Sequence, residues 1–260
     1  MSLVDVTKHD GVALFTLNNP PANAYSHEMH CELDAAILDA RFDESIHVIV
    51  LTGAGDRFFC AGADIAMLES VTPEWKYSFC LHANETLLRL EHTPKLVVAA
   101  LNGHTVGGGL EVALAADLRW GKQGGGKLGL PEVALGVLPG TGGTARLSRA
   151  LGRSKSMQML ADGTNLSFEQ AVELGLVNEL LPAEDFLEAV IEKAQGYCPP
   201  RKASGAVGLI KRSIVSGLDM GLPEHLALER ELQQRLFSAH DATEGFNAFN
   251  EKRDPEFTGR

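Results

Sequence analysis

The chain is poor in the features that mark several large function classes. Its four cysteines, Cys31, Cys60, Cys80 and Cys198, stand far apart among 260 residues with no C-x-x-C pair. That spacing argues against a zinc ribbon and a compact disulfide framework, and favours buried or incidental thiols in a reducing compartment. Positive charge is in deficit, with a formal net charge of -11. So acidic a chain is a poor general binder of nucleic acid or of an anionic membrane, and neither is expected as a partner. Its paired basic residues, Arg201-Lys202, Lys211-Arg212 and Lys252-Arg253, are the local exceptions. Long unbroken apolar runs are missing too. The most apolar stretch, 96–120, carries Asn102, His104, Glu111, Asp117 and three consecutive glycines, which makes a poor membrane span. Met1 to Asp10 shows no basic segment followed by an apolar one, so no leader peptide is expected. The composition predicts a soluble, cytoplasmic protein.

Apolar residues make up 45% of the chain, enough for a sizeable core. Strands are predicted over 11–17, 47–52 and 96–101, each a short apolar run closed by turn residues. Ser26 can cap a helix to about Arg41 that places Met29, Leu33, Ala36, Ile37 and Ala40 on one face. Thr72-Pro73 opens a second helix, and Gly107-Gly108-Gly109 leads into a third. Alternating strands and helices predict an α/β fold with a mostly parallel sheet. After Pro182 the pattern becomes helical, over 183–197, 203–217 and one long run 223–250. The chain therefore divides into an α/β core, 1–195, and a helical region, 196–260.

Two segments carry the chemistry. One is Phe59-Cys60-Ala61-Gly62-Ala63-Asp64-Ile65; the other is Asn102-Gly103-His104-Thr105-Val106-Gly107-Gly108-Gly109-Leu110-Glu111, with Leu130-Pro131-Glu132 downstream. Gly107 to Gly109 sit at a helix start, where N–H groups are unpaired and the dipole end is positive. The Gly62-Ala63 turn follows another strand and offers a second N–H. Two such donors aimed at one carbonyl oxygen make an oxyanion hole. Glu111, in the first turn of the helix, stays near that site; a carboxylate favoured there by the dipole alone is the plainer alternative. Glu132 interrupts an apolar run, 128–138, so it is either buried for a purpose or turned to solvent at a strand end. Burial would raise its pKa and make it a better proton donor.

Other motifs fail on inspection. Gly121-Lys122-Gln123-Gly124-Gly125-Gly126-Lys127-Leu128 resembles a P-loop but has Leu128 where Ser or Thr should hold magnesium, so it reads as a loop. His27-Glu28-Met29-His30 spaces its histidines three apart instead of four; a helix surface is favoured over a zinc site, and no metal ligand is assigned. Gly140-Thr141-Gly142-Gly143-Thr144 suits either a phosphate at a helix start or a turn in a pocket wall. Cys60 has no G-x-S-x-G-like elbow or paired histidine and reads as a packed thiol.

Several motifs in order resemble the crotonase superfamily, the enoyl-CoA hydratase/isomerase family. They are Asn18-Asn19-Pro20-Pro21-Ala22-Asn23-Ala24, the two segments above, Gly129-Leu130-Pro131-Glu132, Pro139-Gly140-Thr141-Gly142-Gly143-Thr144 with Arg146-Leu147, 171–177, and Glu244-Gly245 with 248–253. The resemblance covers nearly the whole chain. It implies a spiral of ββα units, a helical C-terminal trimerisation region, and a homotrimer or a hexamer built as a dimer of trimers. It implies an acyl-CoA thioester as substrate, with CoA part of that substrate and no separate cofactor. By resemblance, the Ala63 and Gly108 amides form the oxyanion hole. Glu111 activates water for C3, and Glu132 transfers a proton to C2. Ala24, Ala61, Asp64 and Ile65 line the CoA groove. Retention of both glutamates favours a hydratase. The alternatives are an isomerase that moves a 3,4 double bond to the 2,3 position, and a non-catalytic acyl-CoA- or RNA-binding paralogue. Ala66 stands where Lys or Arg is frequent, a gap that Lys252 of a neighbouring subunit would fill. Tyr25 stands where Leu or Met is usual, on the expected adenine side of the groove. The segment 67–75 and the helix after it are expected to build the acyl-tail pocket.

Overall fold

A computed structural model describes residues 2–260; Met1, first of the residues read for a leader, lies outside them. The chain opens with a hairpin. Strands β1 (Val4–His9) and β2 (Val12–Leu17) pair antiparallel. Asp10 and Gly11 between them both have positive φ, 40° and 90°, the geometry of a two-residue turn that matches strand twist. Helix α1 (His27–Phe42) follows, and its N-cap Ser26 accepts a hydrogen bond from Met29 N. All five apolar residues expected on its inner face are buried.

A unit then repeats three times: a long strand, a short strand, and a helical segment. The first comprises β3 (Val48–Gly53), β4 (Phe58–Cys60), α2 (Ile65–Ser70) and α3 (Pro73–Glu91). The second comprises β5 (Leu96–Leu101), β6 (His104–Val106) and α4 (Gly108–Leu114). The third comprises β7 (Leu118–Lys122), β8 (Lys127–Gly129), a single 3₁₀ turn (Glu132–Leu135), α5 (Gly143–Leu151) and α6 (Arg153–Asp162). Strand β9 (Asn165–Ser167), helix α7 (Phe168–Glu173), strand β10 (Glu179–Leu181) and helix α8 (Phe186–Gln195) complete the α/β part. Three helices end the chain: α9 (Ser204–Gly217), α10 (Leu222–Phe237) and α11 (His240–Glu251).

The long strands form a six-stranded sheet in the order β1-β2-β3-β5-β7-β10, parallel except for the first hairpin. Its central strands β2, β3 and β5 are apolar on both faces because both faces are covered. Ile49 and Leu51 join the larger core with Met29 and Leu33, whereas Val48 and Val50 join a smaller one with Phe186 and Val190 of α8. The short strands form a second sheet, β4-β6-β8-β9, in which β4, β6 and β8 run parallel.

Two sequence expectations need correction. The helix expected over 223–250 is two helices, because Ala239 is extended and caps α11. The break lets Asp241 accept hydrogen bonds from Thr258 N, Thr258 Oγ1 and Gly259 N, which ties down the C-terminal tail. The basic pair at Lys211 is no surface cluster: Lys211 is buried, 2.8 Å from Asp117, and donates to Leu90 O and Lys95 O.

Candidate active site

Each of the three parallel short strands ends where one of the segments singled out in the sequence begins. Gly62-Ala63 follows β4, Gly107-Gly108 follows β6, and Pro131-Glu132 follows β8. Because these strands are parallel neighbours, three segments far apart in sequence emerge side by side at their C-terminal ends, the usual place for a ligand in such sheets. A cavity of about 550 Å³ opens there, and its lining includes Ala63, Gly108, Glu111 and Glu132.

The glycines are dictated by space. Gly107 has φ +57°, a left-handed conformation that starts α4. A side chain at Gly108 would meet the Tyr25 ring at 2.1 Å. The α4 N-terminus is therefore bare backbone, with its first N–H groups free to face the cavity.

The two carboxyl groups have unlike surroundings. Glu111 is only 2% exposed, yet three donors reach its carboxyl. Its Oε1 accepts from Thr141 N at 2.8 Å and Gly143 N at 2.7 Å, and its Oε2 accepts from Thr141 Oγ1. Gly143 is the first residue of α5, so the carboxyl also lies at the positive end of that helix. The Tyr25 hydroxyl stands 3.2 Å from Thr141 Oγ1 and closes the network. Burial, and next the nearby Glu111, push the Tyr25 phenol well above its ordinary pKa, so it stays neutral. Glu132 begins the 3₁₀ turn, and its buried Oε2 has no hydrogen-bond partner. Burial chiefly, and then the proximity of Glu111, raise its pKa from 4.5 to about 7.

The apolar wall combines Leu68, Val71 and Pro73 from the first unit with Leu135, Val137 and Leu138 from the third. The segment 67–75 thus contributes as expected, but the half supplied by 134–138 was not foreseen. Lys76 is the one cation among the described lining residues, whereas the sequence pointed to Lys252 of a neighbouring subunit. Thr141 and Gly143 were also missed as partners of Glu111. Their glycine-rich turn was read as a phosphate loop or a pocket wall; it does line the cavity, and the anion at its helix start is an internal carboxyl.

Among the residues expected to line a CoA groove, Ala61 and Ile65 border the cavity, whereas Ala24 and Asp64 stand beside it. The Ala24 carbonyl accepts from Asn19 Nδ2, and the Asp64 side chain caps α2 by accepting from Met67 N. Lys252 caps the C-terminal end of α11, outside the cavity lining of the single chain. Tyr25 lines the cavity, and its ring packs against Gly108, His30 and Phe79. Burial raises the Cys60 thiol to about 12, as suits a packed thiol. His30 is buried, not on a helix surface. The P-loop-like run is the end of β7, a glycine turn and the start of β8, with no helix to receive a phosphate.

Comparison with known proteins agrees with this fold. The pattern of the enoyl-CoA hydratase/isomerase family matches residues 7–260. A short-chain-enoyl-CoA hydratase of Clostridium acetobutylicum is 35% identical over 97% of this chain and 96% of its own length. A solved structure of an enoyl-CoA hydratase from Geobacillus kaustophilus is 44% identical and superposes with a TM-score of 0.97, covering 100% of this chain and 98% of that one. One from Bacillus anthracis is 32% identical with a TM-score of 0.94, covering 99% and 100%. The fold is the crotonase fold, and the chain belongs to the enoyl-CoA hydratase/isomerase family.

Proposed function

We propose that the chain adds water reversibly across the 2,3 double bond of an enoyl-CoA thioester, with Glu111 and Glu132 in distinct roles. The observation that carries the division is their asymmetry. Glu111 is held as an acceptor by three donors, so it can orient a water at C3 and take its proton. Glu132 has an orphaned oxygen and a pKa raised to about 7, so it can hold the proton that goes to C2. The Ala63 and Gly108 amides stabilise the thioester oxyanion between these steps. The reaction needs only these groups, with CoA as part of the substrate.

The test follows the loss of conjugated thioester absorbance over short, long, branched and aromatic enoyl-CoA substrates. Wild type should hydrate at least one class. Glu111→Gln and Glu132→Gln should both be severely impaired, and full activity in both would overturn the assignment. A Glu111→Gln protein that fails to hydrate yet still converts a 3-enoyl-CoA into its conjugated isomer at the wild-type rate would support the isomerase instead.

The chain is further proposed to work in the cytoplasm as a homotrimer or a dimer of trimers. Ile210, Ile214, Leu218, Leu226, Phe246 and Phe249 on the C-terminal helices are all exposed. An apolar depression of about 740 Å³ lies between α9, α10, α11 and the tail, with Phe246 and Phe249 in its lining. Monomeric proteins rarely leave so much apolar surface uncovered. A neighbour docked there could carry Lys252 toward the CoA phosphates. Light scattering that gives a monomer would sink this part alone.

A further inference from the structure

A side-chain cluster between α1 and α3 takes no part in the hydration chemistry. His27 and Cys31 are one helical turn apart on α1 and share a face. Helix α3 brings His82 against them, and one ligand atom of each residue lies within 4.8 Å of the other two. His27 Nε2 and Cys31 Sγ are 3.8 Å apart. The His27 and His82 rings are 5.3 Å apart, centroid to centroid. A tetrahedral zinc, with Zn–N of about 2.0 Å and Zn–S of about 2.3 Å, needs ligand atoms roughly 3.3–3.6 Å apart. The helical pair almost meets that spacing. His82 has to approach by roughly 1 Å, which a side-chain torsion can supply. Moreover, His82 Nδ1 is shut off from solvent with no hydrogen-bond partner, as are both ring nitrogens of neighbouring His30. An unpaired buried nitrogen in such a cluster calls for an explanation, and a bound ion is one.

We propose that His27, Cys31 and His82 form a site for a borderline-soft divalent cation of the zinc type, bridging α1 and α3. Two imidazoles and a thiolate suit zinc or cobalt and do not suit magnesium or calcium, which take oxygen ligands. On binding, the Cys31 thiol gives its proton to the solvent buffer, and the thiolate completes the set. Cys31 is exposed, so the ion has a path in, and a water can fill the fourth position. His30, the second histidine of the sequence motif, is not a ligand; its ring packs on Tyr25 and Phe79 at 4.7 and 5.7 Å.

The site joins the reaction cavity through packing alone. Trp75 stands edge-on to His27 and stacks on Phe79, while Pro73 and Lys76 at the same end of α3 line the cavity. A bound cation would tie that wall of the acyl pocket to α1 without touching either catalytic carboxyl.

Cobalt(II) added to metal-stripped protein provides the test, because a thiolate ligand gives it a charge-transfer band. The expected result is a band that saturates at one equivalent per chain and is abolished by zinc. Cys31→Ser should lack the band, Cys80→Ser should keep it, and His27→Gln and His82→Gln should each weaken cobalt binding at least about tenfold. Zinc should raise the melting temperature of wild type and not of Cys31→Ser. Without metal, all variants should melt as wild type does, which separates loss of a ligand from loss of fold. No charge-transfer band, or unchanged affinity in His82→Gln, would overturn the site.

Discussion

The surroundings of Glu111 and of Glu132 differ as a built floor differs from an open rim. Glu111 projects from α4 toward the N-terminus of α5 and is held by Gly143 at that helix start and by Thr141 just before it. Glu132 sits on a single 3₁₀ turn with a buried oxygen left unpaired. The first arrangement holds a carboxyl in one place. The second leaves a carboxyl costly to ionise and therefore able to carry a proton near neutral pH. One fold thus gives two identical side chains opposite surroundings by satisfying one and starving the other.

The comparison breaks most plainly when either carboxyl is neutralised. Glu111→Gln and Glu132→Gln should each lower kcat by about 10²–10⁴, the usual worth of a positioned acid or base, with a smaller change in KM. Gly108→Ala attacks the floor sterically. Its new methyl would meet the Tyr25 ring at 2.1 Å, so the protein should lose roughly 1–3 kcal/mol of stability in denaturant titration, together with most activity.

Thr141→Val sharpens the contrast, since it removes the hydroxyl bond to Glu111 and spares Glu132. A fall in kcat of about tenfold with KM nearly unchanged is expected from the loss of one hydrogen bond to a charged group. The pH dependence should be subtler. With the proposed C2 proton carried by Glu132, kcat should decline as pH rises through about 7.

Stability should carry the same sign. The folded pKa of Glu132 is raised from 4.5 to about 7, so the native state holds the extra proton between those values and stability falls as pH rises through them. Above that window Glu132→Gln should melt a little higher than wild type. Discounting for partial exposure leaves roughly 1 kcal/mol, or about 2–4 °C.

Much of this was legible in residue order, and the failures are instructive. Ser26, Thr72 and the glycine triplet marked helix starts because capping is local, and each does cap or precede a helix. The first strand was overlooked although Asp10-Gly11 is a strong hairpin signal, because β1 is mostly polar and shows little apolar run. The break between α10 and α11 had no glycine or proline to announce it; it serves a tail seventeen residues downstream of Asp241. Thr141, Gly143 and Tyr25 could not be linked to Glu111 from spacing, since they lie 30, 32 and 86 residues away. His82 was likewise invisible beside His27 and Cys31 until α3 packed on α1.

By itself, the sequence determined the α/β class and the glycine-rich helix start, because periodicity, capping and backbone freedom are written within a few residues; the family and its pair of carboxyls were legible as a resemblance of motifs in order. Only the tertiary structure decided which carboxyl is satisfied and which is not. Hydrogen-bond partners and burial depend on neighbours in space, and here those neighbours arrive from three parallel strand ends and the start of a distant helix.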